Sequence, residues 1–161
     1  LVGAVKKERK ERHYLREKWW KALIPRSLTT TKLHANISPG FSSYISAGSG
    51  IRGISFNYTL KQNECGAELY IDRNKQEENK YIFDEIIAHK QEIEKSFGGP
   101  LEWFRLDDGR ASRIRYIARG VGYRTPEEAW PVAQDNTIRA MDRLEKLLRP
   151  YIQKIKVKDS D

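Results

Sequence analysis

The chain has 161 residues, 39% hydrophobic and 32% charged, with 4 Trp, 8 Tyr and 5 Phe, which fits one domain with a full core and excludes a disordered chain. No apolar run nears the ~20 residues of a membrane-spanning helix, the apolar start "LVGAV" is too short for a secretory signal, and the lone Cys65 excludes an internal disulfide. The formal net charge is +8, and three scattered His with one Cys argue against a structural zinc site.

In chain order, Leu15, Trp19 and Leu23 recur every fourth residue, flanked by Trp20 and Ile24, and predict a helix from about Lys6 to Ile24 that Pro25 stops. The first half, "KKERKERHY", has no apolar stripe of its own. The chain opens without Met, so residues 1–13 are expected to be a basic linker helix from an upstream domain of the same polypeptide. Residues 14–155 then form one domain and 156–161 a tail.

Residues 26–40 read as loop. Three alternating runs follow: Phe41, Ser43 and Ile45; Ile54, Phe56, Tyr58 and Leu60; Ala67, Leu69 and Ile71. A period of two with one apolar face predicts strands packed on one side, joined by the turns "AGSGIRG" and "KQNECG". Ile82, Phe83, Ile86, Ile87, Ile93 and Phe97 predict one helix from about Glu78 to Phe97, closed by "GGP".

A hairpin comes next. If Asp108-Gly109 form its two-residue turn, Trp103 faces Ile114, Glu102 faces Arg115 and Phe104 faces Arg113. Trp103 then enters the core, Arg113 stacks on Phe104, and Arg115 pairs with Glu102, which leaves Arg110, Arg119 and Arg124 free. In "TPEEAW", Thr125 and Glu128 predict a capping box, and Pro131 a kink or break. Ile138, Met141, Leu144, Leu148 and Ile152 then line the inner face of a last helix ending near Ile155. The order α-β-β-β-α-β-β-α makes an α+β domain, an antiparallel sheet of about five strands with helices on one face.

Charge is unevenly placed. Lys6 to Lys21 holds eight Lys/Arg against three Glu, and Arg105 to Arg124 six Arg against two Asp, whereas Glu64 to Glu102 holds ten acids against five bases. Two basic segments around an acidic one point to an anionic partner, DNA before RNA. The candidate contacts are Lys6, Lys7, Arg9, Lys10, Arg12, Arg16, Arg110, Arg119 and Arg124.

The leading α-β-β-β-α-β order resembles the PD-(D/E)xK nuclease core, possible here only in degenerate form. That resemblance implies an acid on the second strand and an acid-x-Lys on the third, because carboxylates hold Mg²⁺ and the ammonium orients the attacking water. Ile54 to Leu60 has no acid, and Glu68-Leu69-Tyr70 has Tyr where Lys would stand. No metal, no cofactor and no catalytic residue are therefore expected; if a site exists, it is Glu68, Tyr70 and Asp72. The enzyme alternative is a divergent Mg²⁺ nuclease using Glu68 and Asp72 with Glu17. The third reading is an interaction or dimerisation module built on Trp19, Trp20 and Leu23.

The runs "GISFNYTLKQNECGAELYIDR" and "IFDEIIAHKQEIEKSFGGPLEWFRLDDGRASRIRY", with Glu68, Tyr70, Glu94, Trp103, Arg113 and Trp130, resemble the prokaryotic domain-of-unknown-function family 4268 from about Tyr14 to Ile152. The resemblance implies a place C-terminal to nuclease-like or restriction-type defence segments, with no agreed catalytic motif to carry over, while the lone Cys65 suits a reducing cytoplasm. The function expected is a non-catalytic accessory domain that contacts nucleic acid.

Overall fold

The computed structural model describes residues 1–155; the tail assigned to 156–161 lies outside the described residues. Helix α1 (Val2–Ser27) leads into strands β1 (Tyr44–Gly48), β2 (Ile54–Leu60) and β3 (Glu64–Ile71). Two short helices follow, α2 (Gln76–Ile87) and α3 (Lys90–Phe97), then β4 (Glu102–Phe104) and β5 (Ser112–Arg119). A single 3-10 turn (Glu127–Ala129) precedes α4 (Trp130–Lys154). The five strands form one fully antiparallel sheet in the order β1-β2-β3-β5-β4. The α+β architecture and element order are those expected from the sequence.

Alternation decides which sheet face is covered. Phe56, Tyr58, Leu60, Ala67, Leu69, Ile71 and Ile114 are buried on one face, under Ile138, Met141, Leu144 and Leu148 of α4. Trp19 and Trp20 of α1 are wholly buried; the Trp19 ring leans on Trp130, and the Trp20 indole N–H donates to the Ser42 carbonyl at 2.8 Å. Burying side chains of this size contributes about 1.5–3 kcal/mol each, so the tryptophans fasten α1 firmly. Val2 to Glu11, by contrast, is exposed along its whole length, although it is the same unbroken helix.

Several local expectations are corrected. Pro25 does not stop α1: it sits in the last turn, where its missing N–H forfeits one bond, to the Lys21 carbonyl, and the helix runs on only to Ser27. The first strand is Tyr44–Gly48, with Ile45 and Ala47 inward and Phe41 exposed. The single helix predicted over 78–97 breaks at Ala88 and His89 into α2 and α3. Cys65, read as a turn residue, lies on β3, buried, with its Sγ 3.5 Å from the Thr137 hydroxyl. Burial, ahead of any neighbouring charge, pushes its thiol pKa up.

Thr125 makes no capping box; its hydroxyl donates to the Gly122 carbonyl at 2.7 Å, closing the preceding turn. Pro131 occupies the first turn of α4, where its lost N–H has no partner to miss. Gly98 caps α3 in the left-handed conformation, as expected.

Candidate functional site

On β3, Glu68 and Tyr70 alternate with the core residues and so point to the sheet face opposite the helices, and Asp72 follows just past the strand end. This open face carries a cleft of about 450 Å³ whose walls include Tyr44, Asn57, Lys61, Glu68, Tyr70 and Arg113. Glu68 lies deep in it, only 2% exposed, between Asn57 of β2 and Arg115 of β5 as its cross-strand neighbours. Its Oε1 is 3.5 Å from the Arg113 guanidinium, and its Oε2 is buried without a hydrogen-bond partner. Burial raises the Glu68 pKa, opposed by the charges of Arg113, Arg115 and Lys61. A carboxyl so placed holds a proton more readily than an exposed one.

Asp72 is built differently. Arg110 donates Nε to Oδ1 at 2.7 Å and Nη2 to Oδ2 at 3.0 Å, and the Tyr70 hydroxyl donates to Oδ2 at 3.1 Å. These bonds, Arg110 first, hold its pKa below the usual carboxylate range. Glu17, the third acid of the nuclease alternative, is on α1 and pairs with Lys21 at 2.7 Å. Among the described residues no three His, Cys, Asp or Glu side chains come together in a way that could hold a metal ion.

The hairpin keeps the expected register: Glu102 faces Arg115, Trp103 faces Ile114 and Phe104 faces Arg113. Its turn differs. The Gly109 N–H bonds to the Leu106 carbonyl, so Asp107 and Asp108 are the central residues, and Leu106 takes a left-handed φ of 57°. That conformation costs a side-chain-bearing residue roughly 1–2 kcal/mol, and packing from α2 offsets it. Lys80 of α2, 6% exposed, donates its ammonium to the carbonyls of Arg105 and Ala111 and to the Ser112 hydroxyl at 2.5, 2.7 and 3.1 Å. Asn79 donates to the Arg73 and Arg110 carbonyls and accepts from the Arg73 N–H.

The arginine partners are shifted from those expected. Arg113 lies over the Tyr70 ring at 4.8 Å and not over Phe104; Arg115 lies over Phe104 at 5.1 Å, with its nearest carboxylate Glu64 at 3.9 Å. Glu102 is taken by Arg119 at 2.6 Å. Tyr70 lies directly opposite Arg113 on β3, on its other side from Phe104, while Phe104 is the diagonal neighbour of Arg115, within reach of a long side chain. Nor are Arg110, Arg119 and Arg124 free: the first two have Asp72 and Glu102, and Arg124 bridges Glu11 and Glu8 of α1 at 3.3 and 3.1 Å. The 122–125 turn brings Arg124 there because Gly122 touches β2's end so closely that a Cβ would stand 2.2 Å from the Lys61 carbonyl.

Along α1 the cations divide. Arg12 pairs with Glu8 at 3.5 Å, and Arg16 lies over the Tyr123 ring at 5.4 Å. Lys6, Lys7, Arg9 and Lys10 are exposed and have no carboxylate or carbonyl partner among the described residues. Sequence reasoning missed Asn79 and Lys80, although Asn79 falls on the apolar stripe of Ile82, Phe83 and Ile86. It also missed Arg139 and Arg143 on α4, for which spacing four residues apart was the available signal.

Comparison with known proteins finds no curated protein and no solved structure that matches. A family model described as "Domain of unknown function (DUF4268)" matches residues 15–152, which is most of the described core and excludes the exposed start of α1. The chain belongs to the DUF4268 family.

Proposed function

We propose that this chain is a non-catalytic accessory domain that holds nucleic acid, DNA in preference to RNA, through the exposed half of α1. The observation that supports it is the contrast in charge partnering. Lys6, Lys7, Arg9 and Lys10 project from the domain with no acid to satisfy them among the described residues, and Arg12 and Arg16, which meet Glu8 and Tyr123, follow on the same helix. Such cations gain by neutralising phosphates and releasing counterions, so affinity falls steeply with salt. The setting proposed is a prokaryotic DNA-processing or restriction-type defence protein, in which an upstream part of the same polypeptide supplies any chemistry. Filter binding of a DNA duplex and of the matching RNA, between about 50 and about 200 mM salt, tests it. No retention of either at the lowest salt overturns the reading.

A second reading, a divergent Mg²⁺ nuclease on a degenerate PD-(D/E)xK core, is favoured by one observation, the buried Glu68 with an unpartnered oxygen in a cleft. Plasmid nicking in Mg²⁺ or Mn²⁺ that disappears in Glu68→Ala would establish it in place of the first.

A further inference from the structure

Strand β4 stops after three residues, and Glu102 opposite Arg115 marks the end of its pairing. β5 runs on to Arg119 with no strand beside it on that edge. The Gly120 N–H bonds to the Asn63 carbonyl, on the β3 side. Because backbone groups of successive strand residues point alternately left and right, those of Ile117 and Arg119 are directed to the bare edge.

At this edge lies a cleft of about 460 Å³ between β5, the Gly98-Gly99 loop and α4. Arg115 and Arg119 border it from β5, with their side chains on the open sheet face shared with Glu64 and Glu68, and Arg139 and Arg143 border it from successive turns of α4 on the other side. Glu102 is the one carboxylate among the lining residues, and its Oε1 already accepts from Arg119. The Arg115 Nε and the Glu102 Oε2 are each buried with no hydrogen-bond partner, and the Arg115 Nη2 is 3.9 Å from Glu64. Arg139 donates to the Asn136 side-chain oxygen and Arg143 to the Phe97 carbonyl at 3.3 Å, neutral acceptors that leave both charges uncompensated. Two exposed guanidinium groups, Arg139 and Arg143, thus border the cleft with no carboxylate partner among the described residues, and an anion held between them and the bare β5 edge would gain by neutralising them.

We infer that this cleft binds a phosphate monoester, either the terminal phosphate of a nucleic-acid strand or a free mononucleotide. A monoester carries about −1.5 to −2 charges at neutral pH against −1 for an internal phosphodiester, which suits the two neighbouring uncompensated cations Arg139 and Arg143. The planar guanidinium fork matches phosphate oxygens two at a time, and edge-strand N–H groups add donors without adding charge. The volume falls in the range of small-ligand pockets. The site is separate from the cationic half of α1 and does not depend on it.

The test is anisotropy of the whole chain with a fluorescent single-stranded 12-mer carrying a phosphate at its 5′ end, at its 3′ end, or at neither. AMP, inorganic phosphate and polyglutamate serve as competitors. The expected result is binding about tenfold tighter with one terminal phosphate than with none, and loss of that preference in Arg139→Gln/Arg143→Gln. Both side chains are exposed, and unchanged far-UV circular dichroism shows that the variant is folded. Competition by AMP as strong as by the phosphorylated strand assigns the site to a free nucleotide; competition only by the strand assigns it to a strand end. If no oligonucleotide binds but AMP or phosphate raises the melting temperature of the wild type alone, the cleft stands and the α1 proposal falls. Equal binding with and without a terminal phosphate, a preference retained in the variant, or displacement by polyglutamate but not by AMP or phosphate overturns the inference.

Discussion

The two basic segments of this chain are alike in composition and opposite in construction. In the hairpin region every arginine meets a partner: Arg105 bonds both oxygens of Asp84 and pairs with Asp107, Arg110 grips Asp72, Arg119 reaches Glu102, and Arg113 and Arg115 lie over Tyr70 and Phe104. In the first three turns of α1, Lys6, Lys7, Arg9 and Lys10 meet none among the described residues. A local count of charge treats the two as equals. What separates them is the acidic segment 64–102, which folds into strands and helices beside the hairpin and leaves the start of α1 without its share of acids.

The sharpest way to break the hairpin half of this contrast is to remove what holds it from below. Lys80→Met leaves the Arg105 and Ala111 carbonyls and the Ser112 hydroxyl without their donor, and is expected to cost about 3 kcal/mol in urea denaturation. A change under about 0.5 kcal/mol would show that the turn holds itself. The counterpart in α1 is the fourfold reversal Lys6→Glu, Lys7→Glu, Arg9→Glu, Lys10→Glu. It is expected to lower DNA affinity about 100-fold at low salt and to flatten the salt dependence, while the urea midpoint stays unchanged.

Glu68 in the middle of β3 and Asp72 just past its end sharpen the comparison through pH. The folded-state pKa of Asp72 is depressed, chiefly by Arg110, so its contribution to stability is present at neutral pH and is lost as pH falls through and below the ordinary aspartate range. The folded-state pKa of Glu68 is raised, so its ionisation works against folding: its contribution improves as pH falls through its raised value and worsens as pH rises above the ordinary glutamate range. Glu68→Gln is therefore expected to raise stability by about 1 kcal/mol at neutral pH and to remove that component of the pH profile, read from urea midpoints between about pH 4 and 8. Arg110→Ala is the smallest effect, a slight lowering of the urea midpoint at neutral pH, since the Arg110 side chain is solvent-screened, and it vanishes at acid pH once Asp72 is protonated.

Much of the fold was legible because burial writes itself into the sequence at a fixed period. Phe56, Tyr58 and Leu60, then Ala67, Leu69 and Ile71, and the α4 stripe from Ile138 to Ile152, are inward as the spacing requires. The hairpin register was legible too, since matching Trp103 with Ile114 serves the core whatever the turn does. The break at His89 was not, because Ile86 and Ile93 stay on the inner side of both short helices and the apolar pattern passes over the gap. The arginine partners were not legible either. Glu8 and Glu11 lie more than a hundred residues from Arg124, and Asp72 nearly forty from Arg110, so those pairs exist only once the topology brings the elements together. The edge-strand cleft has the same origin: it depends on where β4 ends relative to β5, which no local pattern states.

Cys65, the sole thiol of the chain, stands with its side chain enclosed between β3 and Thr137 of α4. A reagent reaches it only when the central strand parts from the C-terminal helix α4, so its modification rate is a clock for an opening motion that separates the sheet from that helix. Ligands held at the rim or along the projecting helix can therefore be sorted, without any label, by whether they slow that clock.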